Sequence, residues 1–361
     1  MSSYYRIAVL KGDGIGPDVV DEALHVLTAV SNNGAVDFEF NEYPSGADCY
    51  LECGTPLPDE TLEACRTADA VLLGAMGRPD IRWPDGTELR PQVDLRIKLD
   101  LYAGVRPIYL YAEHLTPLKG LGPGAIDLVI LRENVEGLFA SMDGGIELRG
   151  EVAVDSMVIT RSGTERIARY AFELARTRQE RDSDRQANVI CVDKANIFRS
   201  MAFFRSVFDE VAAGYHDIGH GHEYVDAMAF HLVERPQFYD VMVTENMYGD
   251  ILSDLAAGLI GGMGMAPSGD IGEDAAVFQP SHGTAPDIAG KGVANPVGTI
   301  LSAAMMLRWL GQRHDDDAAT TAAARIEEAV QSVLTSADNA TPDLGGRMTT
   351  SEMGQAIVAA L

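Results

Sequence analysis

An α/β fold is the expectation for this chain, and three features predict it. Strand-like apolar runs alternate with stretches of helical periodicity, and glycine-rich or charged turns follow the strands directly. The third feature is the stretch 243–258, VTENMYGDILSDLAAG, an apolar strand end running into a helix that carries Asp250 and Asp254 four residues apart. At that spacing both carboxylates point to one helix face. Side by side they repel, and Mg²⁺ or Mn²⁺ relieves the repulsion while keeping positions open for water and substrate oxygens; Zn²⁺ would call for His or Cys. The same spacing also fits a solvated helix face with two ordinary aspartates.

Residues 5–10 read as a first strand, GDGIGP at 12–17 as the turn that ends it, and 18–30 as a helix. The glycines at 12, 14 and 16 miss the GxGxxG spacing, so the loop is not a Rossmann fingerprint. A helix over 58–67 and a strand over 70–73 form a second unit, ending in GAMG at 74–77. Between 78 and 107 arginine and aspartate dominate, with Arg90, Arg96 and Arg106 along a helix and its exit. Converging arginine forks suit a dicarboxylic acid; singly, each fits a surface salt bridge.

The strand 126–131 delivers Arg132 and the cluster RENVEG. Charged residues straight after a buried strand are where α/β proteins keep binding groups. Two short strands are expected within 141–159, a helix over 163–176, a polar loop over 177–186 and a strand over 188–192 that delivers Lys194. A lysine there acts as a base only where burial or a neighbouring cation lowers its pKa, and is otherwise a salt-bridge partner. Asp226 precedes an apolar helix, 281–292 reads as an irregular binding loop, 294–310 as a buried helix, and the acid run 315–317 as a solvated loop.

The length of 361 residues allows a large core and about two domains. A net charge of −26 argues against nucleic acid or an anionic membrane as partner. No apolar run approaches the ~18 residues of a membrane span, and the N-terminal stretch reads as a strand and turn rather than a signal peptide, so a cytoplasmic location is expected. Cys49, Cys53, Cys65 and Cys191 lack paired spacing and read as buried thiols. The scarcity of lysine and excess of acid fit a high-salt cytoplasm and a base-composition bias equally.

Eight separated motifs resemble the β-decarboxylating dehydrogenases of (2R)-hydroxy acids: the isopropylmalate, isocitrate, homoisocitrate, tartrate and D-malate dehydrogenases. They are GDGIGP (12–17), VLLGAMG (71–77), LDLYAGVRP (99–107), RENVEG (132–137), VDKAN (192–196), YVDAM (224–228), GDILSDLA (249–256) and HGTAPDIAGKGVANP (282–296). The resemblance implies a two-domain isopropylmalate/isocitrate dehydrogenase-like α/β fold, not a Rossmann fold. Residues 1–101 and 261–361 would form the large domain and 102–260 the small one. It also implies that Arg96, Arg106 and Arg132 grip the malate part of the substrate, that Asp226, Asp250 and Asp254 hold Mg²⁺ or Mn²⁺, and that Lys194 takes the 2-hydroxyl proton. Lys194 and Asp226 would come from the neighbouring subunit of a homodimer with shared active sites, or of a higher oligomer. The resemblance leaves room for a monovalent cation as well.

The cofactor loop of that family corresponds to His282, Gly283, Thr284, Ala285, Asp287, Ile288 and Asn295, with Asn196 near the nicotinamide. NADP-dependent relatives carry Lys and Tyr where Asp287 and Ile288 stand. A carboxylate there accepts from the adenine ribose hydroxyls and repels a 2′-phosphate, so NAD is the expected cofactor. One position departs from the pattern: Phe139 replaces the family tyrosine that protonates the carbon after CO₂ leaves. Another acid or water must serve, or decarboxylation is slow, or oxidation proceeds without decarboxylation; Tyr102, Tyr248 and Glu245 are candidate substitutes. Gln92 and Val93 stand where the isopropylmalate branch has two leucines, which favours D-malate or tartrate-like acids while leaving isopropylmalate open. A catalytically silent regulatory subunit is the alternative from another class; the lysine and the three aspartates, all present, speak against it.

Overall fold

The computed structural model describes residues 3–32, 34, 36–142 and 144–361. In chain order the elements are β1 (Ser3–Gly12), α1 (Gly16–Asn32), β2 (Val36–Glu42), α2 (Ala47–Cys53), α3 (Asp59–Thr67), β3 (Ala70–Ala75), α4 (Pro91–Lys98), β4 (Ala103–Tyr109), β5 (Asp127–Glu133), β6 (Ile146–Leu148) and β7 (Val152–Val154). There follow α5 (Arg161–Arg181), β8 (Asn188–Asp193), α6 (Arg199–Ala212), β9 (Gly219–Tyr224), α7 (Val225–Glu234), β10 (Val241–Thr244), α8 (Asn246–Ala257), β11 (Pro267–Ile271), β12 (Ala276–Pro280), α9 (Val297–His314), α10 (Asp317–Leu334) and α11 (Thr350–Ala360). The chain is an α/β protein of two compact units: Met1–Leu101 with Tyr111–Pro123 and Ile260–Leu361, and Tyr102–Leu110 with Gly124–Leu259.

In the first unit the strands run in the order β2-β1-β3-β12-β11, parallel except for the β11/β12 hairpin. β3 is buried along its whole length, as an unbroken apolar run covered on both faces must be. Helix α9 packs on β11 and β12, and its residues Val297–Ala304 are buried without a break. The GDGIGP turn is bound to protein carbonyls: Asp13 N donates to Ala75 O (2.7 Å) and Ile15 N to Thr284 O (2.9 Å). Those amides are spent, which is why the loop is no phosphate cradle of the Rossmann kind. Gly14 has φ +60°, and a Cβ there would sit 2.1 Å from Thr284 O, so only glycine permits the approach. The buried Asp13 carboxylate ties the turn to two others, accepting from Ala47 N (2.8 Å), Asp48 N (3.1 Å) and Gly77 N (2.8 Å).

In the second unit the order is β4-β5-β10-β8-β9, with β4 antiparallel to β5 and the rest parallel. Helices α5 and α6 cover it, and Phe172 stacks between Phe208 (5.4 Å) and Tyr215 (4.6 Å) in its core. Helix α5 continues to Arg181, well into the expected polar loop. The cause is charge: Arg178 and Arg185 both clasp Asp127 and Asp240 at the starts of β5 and β10. Strand β5 likewise runs on to Glu133, so Arg132 is a strand residue, and Arg106 lies on β4 rather than at a helix exit.

Two other expectations are corrected. The acid run is no solvated loop: Asp315 ends α9 in the left-handed conformation, and Asp316 caps α10 while accepting from the Tyr5 hydroxyl (2.8 Å). Cys53 is exposed, 3.5 Å from the Sγ of the buried Cys49. Among the described residues no helix is long and apolar enough to cross a membrane.

Candidate active site

Arg96 is the sixth residue of α4 in the first unit, 8% exposed, its Nε donating to Asp270 Oδ2 on β11 (2.9 Å). Gln92 lies one turn earlier on that helix, on the same face; its Oε1 is buried and has no hydrogen-bond partner among the described residues. Val93 beside it is half-buried.

In the second unit Arg106 (β4) and Arg132 (β5) are both buried. Arg132 donates through Nε (2.9 Å) and Nη2 (2.7 Å) to Asn246 Oδ1, and through Nη1 to Asp250. Asn246 Nδ2 in turn donates to Glu136 O (3.1 Å). Sequence reasoning missed this asparagine: the contact spans 114 residues, and nothing local marks it. Helix α8 lies against β5 because Gly249 has no side chain; a Cβ there would come 2.6 Å from Arg132 Cβ.

Asp250 and Asp254 are the fifth and ninth residues of α8, whose start is capped by the buried Glu245 accepting from Tyr248 N (2.8 Å) and Met247 N (3.2 Å). The Asp254 carboxyl is held above its ordinary pKa by burial and then by the charge of Asp250, while Arg106 and Arg132 pull it down. Two carboxylates and two buried arginines therefore act on one another here. An all-oxygen pair of this kind, strained by its own repulsion, fits a hard divalent cation.

Lys194, just past the end of β8, pairs with Asp226 in the first turn of α7. That contact holds the Asp226 carboxyl below its usual pKa. The Asp226 side chain is 68% exposed. Within one chain Asp226 does not join the α8 pair: among the described residues no three Asp, Glu, His or Cys groups converge as a metal site. Asn196 is exposed in the turn after Lys194.

The Phe139 ring lies over the Arg132 guanidinium, 5.1 Å from centroid to Cζ. Of the candidate acids, Glu245 is committed to capping α8, and the Tyr102 ring packs under Arg166 (4.5 Å). Tyr248 is buried, and burial pushes its phenol up. Beside Arg132, the 2%-exposed Glu133 accepts from the amides of Val135 (3.1 Å) and Glu136 (2.6 Å), yet burial lifts its pKa to about 7. From about 4.5 to about 7 the folded protein then holds a proton that the unfolded chain releases, so stability should fall as pH rises through that window and stay lowered above it. Glu133→Gln should flatten the decline, which amounts to about 3 kcal/mol. Melting temperatures of both proteins between pH 4.5 and 8 check this.

The segment Ser281 to Gly292 is irregular, anchored by Thr284 Oγ1 donating to Gly77 O (2.8 Å) and by Ile288 packing with Ile15 and Val19. Ala285 has φ +38°, and Gly283 and Asp287 are exposed. His282 Nδ1 lies 2.8 Å from Gly283 O, which puts the proton on Nδ1, and leaves Nε2 a buried acceptor without a partner among the described residues. Burial also lowers the ring's pKa, favouring the neutral form. A cofactor amine or amide fits that acceptor. Asn295 is spent on the protein, accepting from Val297 N (3.1 Å) at the start of α9 and donating to Asp343 (3.1 Å).

A family model described as isocitrate/isopropylmalate dehydrogenase matches residues 6–357, and the chain belongs to that family. It is an enzyme of the β-decarboxylating dehydrogenase type. The 3-isopropylmalate/3-methylmalate dehydrogenase of Methanocaldococcus jannaschii is 42% identical over 98% of each chain, and the 3-isopropylmalate dehydrogenase of Archaeoglobus fulgidus 42% identical over 99% of each. Among solved structures, an isocitrate dehydrogenase from Methylococcus capsulatus aligns over 99% of each chain with TM-score 0.87 and 39% identity. A β-decarboxylating dehydrogenase from Thermococcus kodakarensis aligns over 99% of this chain and 96% of its own, with TM-score 0.79 and 40% identity. The leaning toward D-malate or tartrate drawn from Gln92 and Val93 has no support among these relatives.

Proposed function

We propose that the protein oxidises and decarboxylates a (2R)-malate bearing a small alkyl group on carbon 3, of the 3-isopropylmalate type, with NAD and Mg²⁺ or Mn²⁺. The observation that carries this reading is the mutual setting of Arg106, Arg132, Asp250 and Asp254, an anion-binding pair beside a cation-binding pair. Arg96, Arg106 and Arg132 hold the substrate carboxylates. Asp250 and Asp254, with the partner subunit's Asp226, would hold the divalent cation, which when bound acidifies the 2-hydroxyl and carries the charge that develops as CO₂ departs. Bound NAD, held by the 282–295 loop, would accept the hydride. The partner subunit's Lys194 takes the hydroxyl proton, and Asn196 lies toward the nicotinamide. Asp287 meets the adenine ribose.

Association as a dimer with shared sites is supported by the exposure of Lys194's partner Asp226 beside a set of uncovered apolar side chains, Phe230 and Val233 on α7 and Ile251 on α8. The ribbon β6–β7 exposes Ile146, Leu148, Val152 and Val154 as well. The 3-alkyl preference rests on the named relatives, and a short alkyl group suits Val93. Gln92 favours a second reading, a 3-substituent with a hydrogen-bond donor, since its unpartnered Oε1 would accept from it. Initial rates of NADH formation on 3-isopropylmalate, 3-methylmalate, D-malate, tartrate and isocitrate test the choice. A 3-alkylmalate should give the highest kcat/KM; tartrate in first place would favour the second reading and overturn the first.

Phe139 offers no proton, so water takes the tyrosine's part in protonating the carbon. Phe139→Tyr should then raise the rate of enolate protonation about 10- to 100-fold, with KM little changed, measured as formation of the protonated 2-oxo acid in single turnovers. An unchanged rate would mean that protonation does not limit the reaction.

A further inference from the structure

Arg96 carries five N–H donors, and among the described residues it has one partner, Asp270, reached through Nε alone. The residue is nevertheless buried, only 8% exposed. A buried arginine held by one edge, with both Nη groups unspent, is arranged to receive a planar anion on its free edge. The group that holds it is set with care. Asp270 (1% exposed) lies on β11, and Gln279 (6% exposed) on β12 is its diagonal cross-strand neighbour, donating Nε2 to the same Oδ2 at 2.6 Å.

We propose that Asp270 is the positioning residue of Arg96, fixing the guanidinium through Nε so that its Nη edge meets a substrate carboxylate, with Gln279 holding Asp270 in that orientation. The inference rests on the reading that Arg96 binds the hydroxy acid. Gln279 matters because a second carboxylate in its place would repel Asp270, whereas its amide donates and fixes one oxygen. Asp270 touches neither substrate nor cofactor; it acts through Arg96.

The test is steady-state kinetics of the full-length enzyme carrying Asp270→Asn, Asp270→Asn/Gln279→Glu, or Arg96→Gln, with KM for the hydroxy acid and for NAD measured separately and melting temperatures recorded. Asp270→Asn should raise the KM for the acid at least about 10-fold and leave the KM for NAD and kcat within about 3-fold. The double variant moves the carboxylate to the adjacent position and should recover most of the lost affinity. A folded Asp270→Asn enzyme with an unchanged KM for the acid overturns the proposal while a raised KM in Arg96→Gln leaves the parent reading standing. An unchanged KM in Arg96→Gln overturns that parent reading. Should Asp270→Asn fail to fold, the double variant decides: a KM for the acid near wild type supports positioning by the carboxylate, and KM values for acid and NAD raised together assign Asp270 a structural role only.

Discussion

Lys194→Ala and Asp254→Asn should each lower kcat about 10³-fold, and mixing the two inactive proteins after dissociation should restore about a quarter of wild-type activity. The size of each loss follows from the roles proposed. A general base contributes 10²- to 10⁴-fold, and a metal carboxylate supports several kcal/mol of charge stabilisation. Recovery follows from the shared site: in the mixed dimer one site receives both defects and the other receives neither. Half of a random mixture is mixed dimer, and half of its sites are intact. Within one chain Lys194 is occupied by Asp226, and among the described residues no three metal-ligating groups converge, an arrangement that a partner subunit would complete. Activity that stays lost on mixing, with dimers re-formed, would mean that each chain builds its own site.

Asp287→Lys with Ile288→Tyr should shift the preference from NAD toward NADP by at least about 10²-fold in the ratio of kcat/KM values. Asp287 is exposed on the loop, so its charge is available to whatever the loop binds. Against a 2′-phosphate that charge is repulsive, and juxtaposed like charges cost several kcal/mol. Replacing it removes the repulsion and supplies an attraction in the same place. Initial rates with both cofactors, at saturating hydroxy acid and metal, give the ratio; an unaltered ratio would mean that Asp287 does not meet the ribose.

Local chemistry is legible in the sequence, and long-range partners are not. Alternating strands and helices announce the α/β class, and the four-residue spacing of Asp250 and Asp254 is enough to put both on one face of α8. Charged residues at strand ends, Arg132 and Lys194 among them, stand out for the same reason. What escapes is whatever depends on contacts far apart in the chain. The extra turns of α5 follow from Arg178 and Arg185 meeting Asp127 and Asp240, 51 to 62 residues away. The partner of Arg96 is 174 residues distant, and that of Arg132 is 114. Asp316 reads as one acid in a polar run, although α10 and the Tyr5 hydroxyl both need it. Periodicity reports which face a residue occupies; it carries no word of what lies opposite.

The most direct measurement is parallel release of NADH and CO₂ from 3-isopropylmalate, with NAD and Mn²⁺ or Mg²⁺, compared with the same reaction after chelation of the metal. Equal amounts of NADH and CO₂ are expected, with loss of both on chelation. NADH formed without CO₂ would contradict decarboxylation and tie the outcome to Phe139, and activity that survives chelation would contradict the role given to Asp250 and Asp254.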